Sequence, residues 1–296
     1  MSPVEGGVLL ARTHRFAWGS GIAPVLMSVV NTTPDSFSDG GMHFSAEAAI
    51  SWGKSSIREG AGILDIGGES TRPGAEAVSS AEQIARTQAV ISALAPHSPV
   101  SIDTTRADVA RAAFAAGACI VNDVSAATDD PDIVEAACGS GAAIVLMHRL
   151  VAPDSDVWST EHDSRRMYGD VVRDVRDWLG DRVAAVMRAG MPRECIAIDP
   201  GLGFGKDVKQ NLELIARLDE FTSLGVPVLV GASRKSFLGA ITAEPDPARR
   251  DAASVVAALA AAANGAAILR VHAVRDHAHA LAVWAAIGMQ HCGVKH

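Results

Sequence analysis

The chain has 296 residues, 48% of them apolar and 20% charged, with 34 acids against 26 bases and a formal charge of −8. The acidic balance and the 4% aromatic content argue against an electrostatic or stacking platform for nucleic acid. No apolar run approaches the ~20 residues of a membrane span, and the four cysteines lack C-x-x-C or zinc spacing, so neither a disulfide framework nor a zinc site is expected. The N-terminal stretch lacks the order of a signal peptide. A cytoplasmic protein with neither nucleic-acid nor membrane partners is the expectation.

Eight short Val/Ile/Leu-rich runs lie at 25–30, 63–66, 100–102, 120–121, 143–147, 196–198, 226–230 and 268–271. Each is too short for a helix and almost continuously apolar, as a strand buried on both faces requires. Helix-like segments alternate with them at 46–59, 80–94, 107–115, 133–138, 171–188, 211–218, 252–263 and 276–286. Eight β–α units predict an α/β chain folded as a (β/α)₈ TIM barrel in one domain spanning 1–296, with a doubly wound open sheet as the rival. The polar residues favour the barrel. Asn31, Gly67-Gly68-Glu69, Asp103, Asn122, His148, Asp199, Ser233 and His272 each follow a strand at its C-terminal end. A barrel gathers those positions at one mouth. The segments after the first two strands, 31–45 and 67–79, are long for βα loops, which often marks function.

Six segments carry candidate chemistry. Asn31-Thr-Thr-Pro-Asp35-Ser-Phe37-Ser-Asp-Gly-Gly41 is broken by Pro and Gly and rich in side chains that also suit plain turns. Asp65-Ile-Gly-Gly-Glu-Ser-Thr71-Arg72-Pro73-Gly74 leaves a strand through two glycines into a hydroxyl-rich loop, where Arg72 can fork onto phosphate or carboxylate. Asp103 and Asn122 follow buried strands and can read a heterocycle by accepting and donating, or can cap the next helix. Asp199-Pro-Gly-Leu-Gly-Phe204-Gly-Lys206 is glycine-rich but matches neither the dinucleotide fingerprint nor the P-loop, and Phe204 can stack on a flat ligand. Gly231-Ala-Ser-Arg234-Lys235-Ser236 runs from strand seven through a small-residue bend into Ser-Arg-Lys-Ser, and the loop after strand seven of a barrel is a common anion site. In the last strand, Arg270 and His272 point to one side, and a cation there needs a partner. His277 and His279 diverge on a helix and do not suggest a metal pair.

Together these segments resemble the dihydropteroate synthase family over about residues 24–288. The motifs are NTTPDSFSDGG, DIGGESTRPGA, SIDT, VNDVS, LMH, DPGLGFGK, GASRKSFLG and RVH, in the family's order. The resemblance implies a (β/α)₈ fold, a homodimer and a magnesium-dependent transferase. The implied reaction condenses 6-hydroxymethyl-7,8-dihydropterin diphosphate with 4-aminobenzoate, giving 7,8-dihydropteroate and pyrophosphate. It also implies pterin contacts from Asp103, Asn122, Asp199, Lys235, Met147 and Phe204, and diphosphate contacts from Asn31, Arg270 and His272, with Asn31 beside Mg2+. Thr71, Arg72, Pro73, Ser236 and Phe37 would shape the aminobenzoate site. Asp35 in a closing loop, together with Arg270, His272 and Lys235, would assist catalysis. Departures from the family pattern are Thr32, the glycine-free run Met147-His148-Arg149-Leu150-Val151, and Ala273 after RVH. A pterin-dependent methyltransferase or a non-catalytic pterin-binding paralogue are the alternatives. The methyltransferase would have no use for the STRPG loop or the anion clusters.

Overall fold

The computed structural model describes residues 6–32, 46–71, 74–161 and 168–292. The chain opens with an antiparallel hairpin, β1 (Gly7–Ala11) and β2 (His14–Trp18). Eight strands follow: β3 (Val25–Asn31), β4 (Ile63–Gly67), β5 (Val100–Asp103), β6 (Ile120–Asp123), β7 (Ala143–Met147), β8 (Ile196–Asp199), β9 (Val228–Val230) and β10 (Ala266–Val271). They pair in parallel around a closed barrel, β10-β3-β4-β5-β6-β7-β8-β9. The expected barrel is thus the observed fold, and the open sheet is excluded by the β10–β3 pairing that closes the ring.

The crossovers carry α1 (Ala46–Arg58), α2 (Ser80–Leu94), α3 (Ala107–Ala116), α4 (Asp132–Ser140), α5 (Val171–Arg188), α6 (Val208–Ala216), α7 (Ser236–Thr242), α8 (Asp251–Ala263) and α9 (Val274–Cys292). Local chemistry sets their ends. Asp170 accepts from the Val172 and Arg173 amides at the start of α5, and Asp207 and Gln210 form a capping box at the start of α6. That box starts α6 three residues earlier than apolar periodicity alone places it. Gly117 and Gly141 close α3 and α4 in the left-handed conformation. Among the described residues, no helix is long and apolar enough to cross a membrane.

Strand alternation divides the core in two. Leu64, Ile66, Val100, Ile102, Val121, Ile144, Leu146, Ile198 and Leu269 face outward into the helical layer. Met27, Ile63, Ile120, Ala143, Val145, Ala197, Leu229 and Ile268 fill the barrel, where Leu9, Ala11 and Trp18 of the hairpin pack against them. Arg12 at the hairpin tip donates from its backbone N to Gly141 O (2.7 Å) and from Nε to Ser140 O (3.1 Å), just before β7 begins. The hairpin therefore plugs the N-terminal end of the barrel, the end that serves stability, and leaves the opposite mouth for chemistry. The same alternation turns Asp65, Ser101, Asp103, Asn122, Met147, Asp199 and Arg270 inward, above the apolar plug.

Candidate active site

The floor of the mouth is an ionic network. Arg270 on β10 donates from Nε to Asp65 Oδ2 (2.6 Å) and from Nη2 to Asp103 Oδ2 (2.8 Å). Asn122 Nδ2 donates to the same Asp65 oxygen at 3.1 Å. Asp65 is fully buried, Asp103 and Asn122 nearly so. Burial pushes the Asp103 carboxyl up to about 7, with Arg270 opposing the rise and Asp65 adding to it. The same acids, with Asp199, hold the Arg270 guanidinium charged against the cost of burying it. Asp65 Oδ1 and Asn122 Oδ1 have no partner among the described residues, so the floor retains acceptor capacity. The reading of Asp103 and Asn122 as helix caps does not hold. Their side chains serve this network, while Asp130 Oδ2 accepts from the Ala107 amide at the start of α3. The turn-forming acid at the end of β6 is Asp123, which accepts from Ser125 N (2.7 Å) and Ala127 N (2.6 Å).

Beside the floor, Asp199 ends β8 in register with Met147 of β7. Asp199 Oδ1 accepts from Gly201 N at 2.7 Å. Burial raises its pKa, and the Gly201 amide and the charges of Lys235, Lys206 and Arg270 oppose the rise. Lys235 reaches over the glycine loop, donates to Leu202 O, and sets its ammonium 4.2 Å from the centre of the Phe204 ring. Burial lowers Lys235 to about 8, with Asp199 pulling the other way. One face of Phe204 is therefore already covered by Lys235. The loop is left-handed at Gly201 (φ 69°), Gly203 (φ 81°) and Gly205 (φ 65°). A Cβ on Gly203 would lie 2.9 Å from Lys235 Cδ, so the bare backbone is what lets that lysine lie down.

The remaining candidates surround this centre. Asn31 ends β3, and its Oδ1 lies 3.9 Å from where a Cβ on Gly67 would stand, beside Asp103. His272 follows β10, and its Nδ1 lies 3.0 Å from Ser233 Oγ. Ser236 is the first residue of α7. Arg234 is left-handed (φ 62°) and forks onto Asp251 through Nε (2.7 Å) and Nη2 (2.8 Å), which gives it a structural partner. Thr71 is half-buried at the end of the described part of its loop. Glu69 pins that loop by accepting from Val78 N (2.6 Å) and Gln83 Nε2 (2.9 Å). Asp35, Phe37, Arg72 and Pro73 lie outside the described residues. His277 is buried with its Nδ1 2.7 Å from Ala273 O.

Two residues of the site escaped sequence reasoning. Asp65 sits inside an apolar strand, and a charge there demands a partner just as Arg270 does. Lys206 looks like a surface lysine at the end of a loop, yet it is fully buried.

A family model described as pterin binding enzyme matches residues 27–272. The dihydropteroate synthase of Synechocystis sp. is 44% identical over 261 residues, covering 88% of each chain. A solved dihydropteroate synthase of Xanthomonas albilineans with 4-aminobenzoic acid superposes with a TM-score of 0.87 at 41% identity, covering 98% of this chain and 100% of that one. The same enzyme in complex with 7,8-dihydropteroate gives a TM-score of 0.79 at 41% identity, covering 92% and 95%. The family model spans most of the sequence, its motifs stand at the strand ends of one mouth, and relatives of this identity match along nearly the whole length; the chain belongs to the dihydropteroate synthase family.

Proposed function

We propose that the chain condenses 6-hydroxymethyl-7,8-dihydropterin diphosphate with 4-aminobenzoate, releasing pyrophosphate, in a single pterin-binding barrel domain. The observation that carries this reading is the juxtaposition of acceptors and cations at one mouth. Asp103, Asn122 and Asp199 stand beside Lys235 and Arg270. That set suits a flat donor-rich bicycle with an anionic tail.

Asp199 accepts from the pterin 2-amino group and an adjacent ring N–H, and Lys235 donates to the ring carbonyl. Asp103 and Asn122 complete the edge, and Met147 and Phe204 flank the ring. Asn31, Arg270 and His272 take the diphosphate. Arg270 carries charge without needing a proton from elsewhere, so it can exchange a carboxylate oxygen for a phosphate oxygen at no change of protonation. Thr71, Arg72, Pro73, Ser236 and Phe37 would bind 4-aminobenzoate, on the strength of the motifs. The methylene C–O bond breaks, its electron pair leaves with pyrophosphate, and the pterin spreads the positive charge left on the methylene carbon. The aryl amine nitrogen then forms the new C–N bond with its lone pair and gives up a proton to water or to the released pyrophosphate. It is neutral near pH 7, so no strong general base is needed. Arg270 and His272 stabilise the charge that develops on the leaving group, and Asp35 offsets the cation.

Magnesium is compatible with the residues described. They contain no group of three or more His, Cys, Asp or Glu side chains able to hold a metal. Asn31 offers one side-chain oxygen, and magnesium ordinarily takes few protein ligands and completes its shell with substrate phosphates and water. When bound, it would neutralise diphosphate charge.

A homodimer is supported by apolar side chains exposed on adjoining helices: Leu212 on α6, Ile241 on α7, Val256 on α8 and Val283 on α9. A reducing, cytoplasmic setting suits the free thiols of Cys119, Cys138 and Cys195. The deciding experiment is a pyrophosphate-release assay with both substrates, with each omitted, and with chelator added. Sustained release over many turnovers that requires both substrates and stops with chelator is the expected result. Pterin binding without release would leave the non-catalytic reading.

A further inference from the structure

Lys206 belongs to the β8–α6 loop that carries Phe204, and no substrate contact is assigned to it. Its Nζ sits inside the β8–α6 loop, 2.9 Å from Gly201 O, 2.8 Å from Phe204 O and 3.0 Å from His148 Nδ1. Burial lowers Lys206 to about 7, with Asp199 pulling the other way, and in the charged form its three protons meet three acceptors at hydrogen-bond distance. His148 O stands further off at 3.4 Å. The charged and titratable groups facing the ammonium are Asp199, Lys235, Asp156 and His148. Burial and the neighbouring ammonium push the His148 ring down to about 2. The ring is therefore neutral, and it accepts at Nδ1 with its proton on Nε2.

We propose that Lys206 is a positioning residue for the pterin site: its ammonium moulds the glycine loop from within and ties that loop to His148 at the exit of β7. This inference rests on the assignment of Asp199, Lys235 and Phe204 to the pterin.

The loop's geometry gives the reason. Its outward side supplies Gly201 N to Asp199, Leu202 O to Lys235, and the Phe204 ring beneath the same ammonium. Its inward side directs two carbonyls at Lys206. Without the lysine Phe204 O would lose its hydrogen bond and Gly201 O would keep only the Phe204 amide at 3.2 Å; leaving such an acceptor unmatched costs more than the bond itself contributes, so the loop would turn to reach water. The loop also has no slack toward β7. A Cβ on Gly201 would lie 1.8 Å from His148 O, and one on Gly205 would lie 2.3 Å from Leu150 Cβ. His148 is itself held edge-on against Trp178 at 4.9 Å between ring centres, and His148 N donates to Asp199 O at 3.0 Å. A movement of the loop is therefore passed to Asp199 and Lys235 together.

The test is Lys206→Met, which keeps length and removes the ammonium. Calorimetry with pterin diphosphate and steady-state kinetics are run beside thermal unfolding. Misplacement of a binding constellation by about 1 Å is worth ~10- to 100-fold, so the Kd and KM for pterin diphosphate should rise by at least about tenfold. At saturating pterin, the KM for 4-aminobenzoate should stay within about threefold, because the aminobenzoate side does not use this loop. A lowered melting temperature with unchanged pterin Kd and KM would mean that Lys206 only stabilises the fold, and overturns the proposal. If Lys206→Met does not fold, His148→Phe decides. It keeps the ring against Trp178 but withdraws one acceptor, and an unchanged pterin KM there overturns the proposal equally. Asp199→Asn is the control for the site itself. Loss of pterin binding in Asp199→Asn but not in Lys206→Met refutes this inference alone, whereas no loss in either refutes the site assignment.

Discussion

Replacing Arg270 with Met removes the cation that, among the described residues, bridges Asp65 and Asp103, while keeping most of the side-chain length. Asp65 is fully buried and Asp103 is 7% exposed, so neither carboxylate recovers its hydration. Removing one partner of a buried ion pair costs about 3–5 kcal/mol. The Arg270 side chain keeps 22% exposure, which places the cost at the lower end of that range, near ~3 kcal/mol. For a chain of this size that corresponds to a melting temperature lower by roughly 6 °C at pH 7. The pH dependence is the sharper signature. With Arg270 present, Asp103 ionises at about 7. Without it, the carboxyl keeps its proton to higher pH in the folded state, while the unfolded chain has already lost it. Above pH 7 the variant's folded state thus binds one more proton than its unfolded state, and its stability falls by about 1.4 kcal/mol per pH unit. The parent loses only ~0.4 kcal/mol over the same interval, so the deficit relative to it should widen by about 1.5 kcal/mol between pH 7 and 8.5, read by thermal or urea unfolding at both pH values. A deficit that stays constant across that interval would refute the claim that Arg270 is there to compensate Asp103.

Other consequences follow from the same geometry. Asp199→Asn keeps an oxygen for Gly201 N but loses the charge that meets the pterin, and pterin affinity by calorimetry should fall by about 2 kcal/mol, roughly 30-fold. The kcat/KM for pterin diphosphate should rise as Asp103 ionises near pH 7 and fall as Lys235 loses its proton near pH 8. Asp103→Asn should remove only the acid limb of that profile, and Lys235→Met only the alkaline limb. Gly201→Ala places a Cβ 1.8 Å from His148 O at a φ of 69°, so the loop must move, and pterin KM should rise by more than ~10-fold even where the protein folds.

The barrel was legible because its strands are short, buried on both faces and therefore continuously apolar, and because polar residues stand at one end of each. The hairpin at 7–18 was not. Its strands, GVLLA and HRFAW, bury Leu9, Ala11 and Trp18 against the N-terminal end of the barrel, a contact with no local sequence pattern. The short helix α7 has seven residues and presents too little periodicity to stand out. At the mouth, Asp103, Asn122, Asp199, Lys235 and Arg270 were found as strand-end or motif residues. Asp65 was passed over because it lies in mid-strand, two pairings round the ring from Arg270. Its pairing is a property of barrel closure, which brings residues 205 positions apart into one ion pair. Lys206 was hidden for a related reason. Only the folded loop turns its ammonium inward, onto carbonyls of its own neighbours and the ring of His148.

The central claim is that acceptors for a bicycle and cations for its tail belong to one ligand. A crystal structure of the chain soaked with pterin diphosphate, without 4-aminobenzoate, tests it directly. The ring should lie against Asp199 and Lys235, with Arg270 drawn from Asp65 and Asp103 toward the diphosphate. Density for the pterin anywhere but this mouth, or a bound diphosphate that Arg270 does not touch, would contradict it.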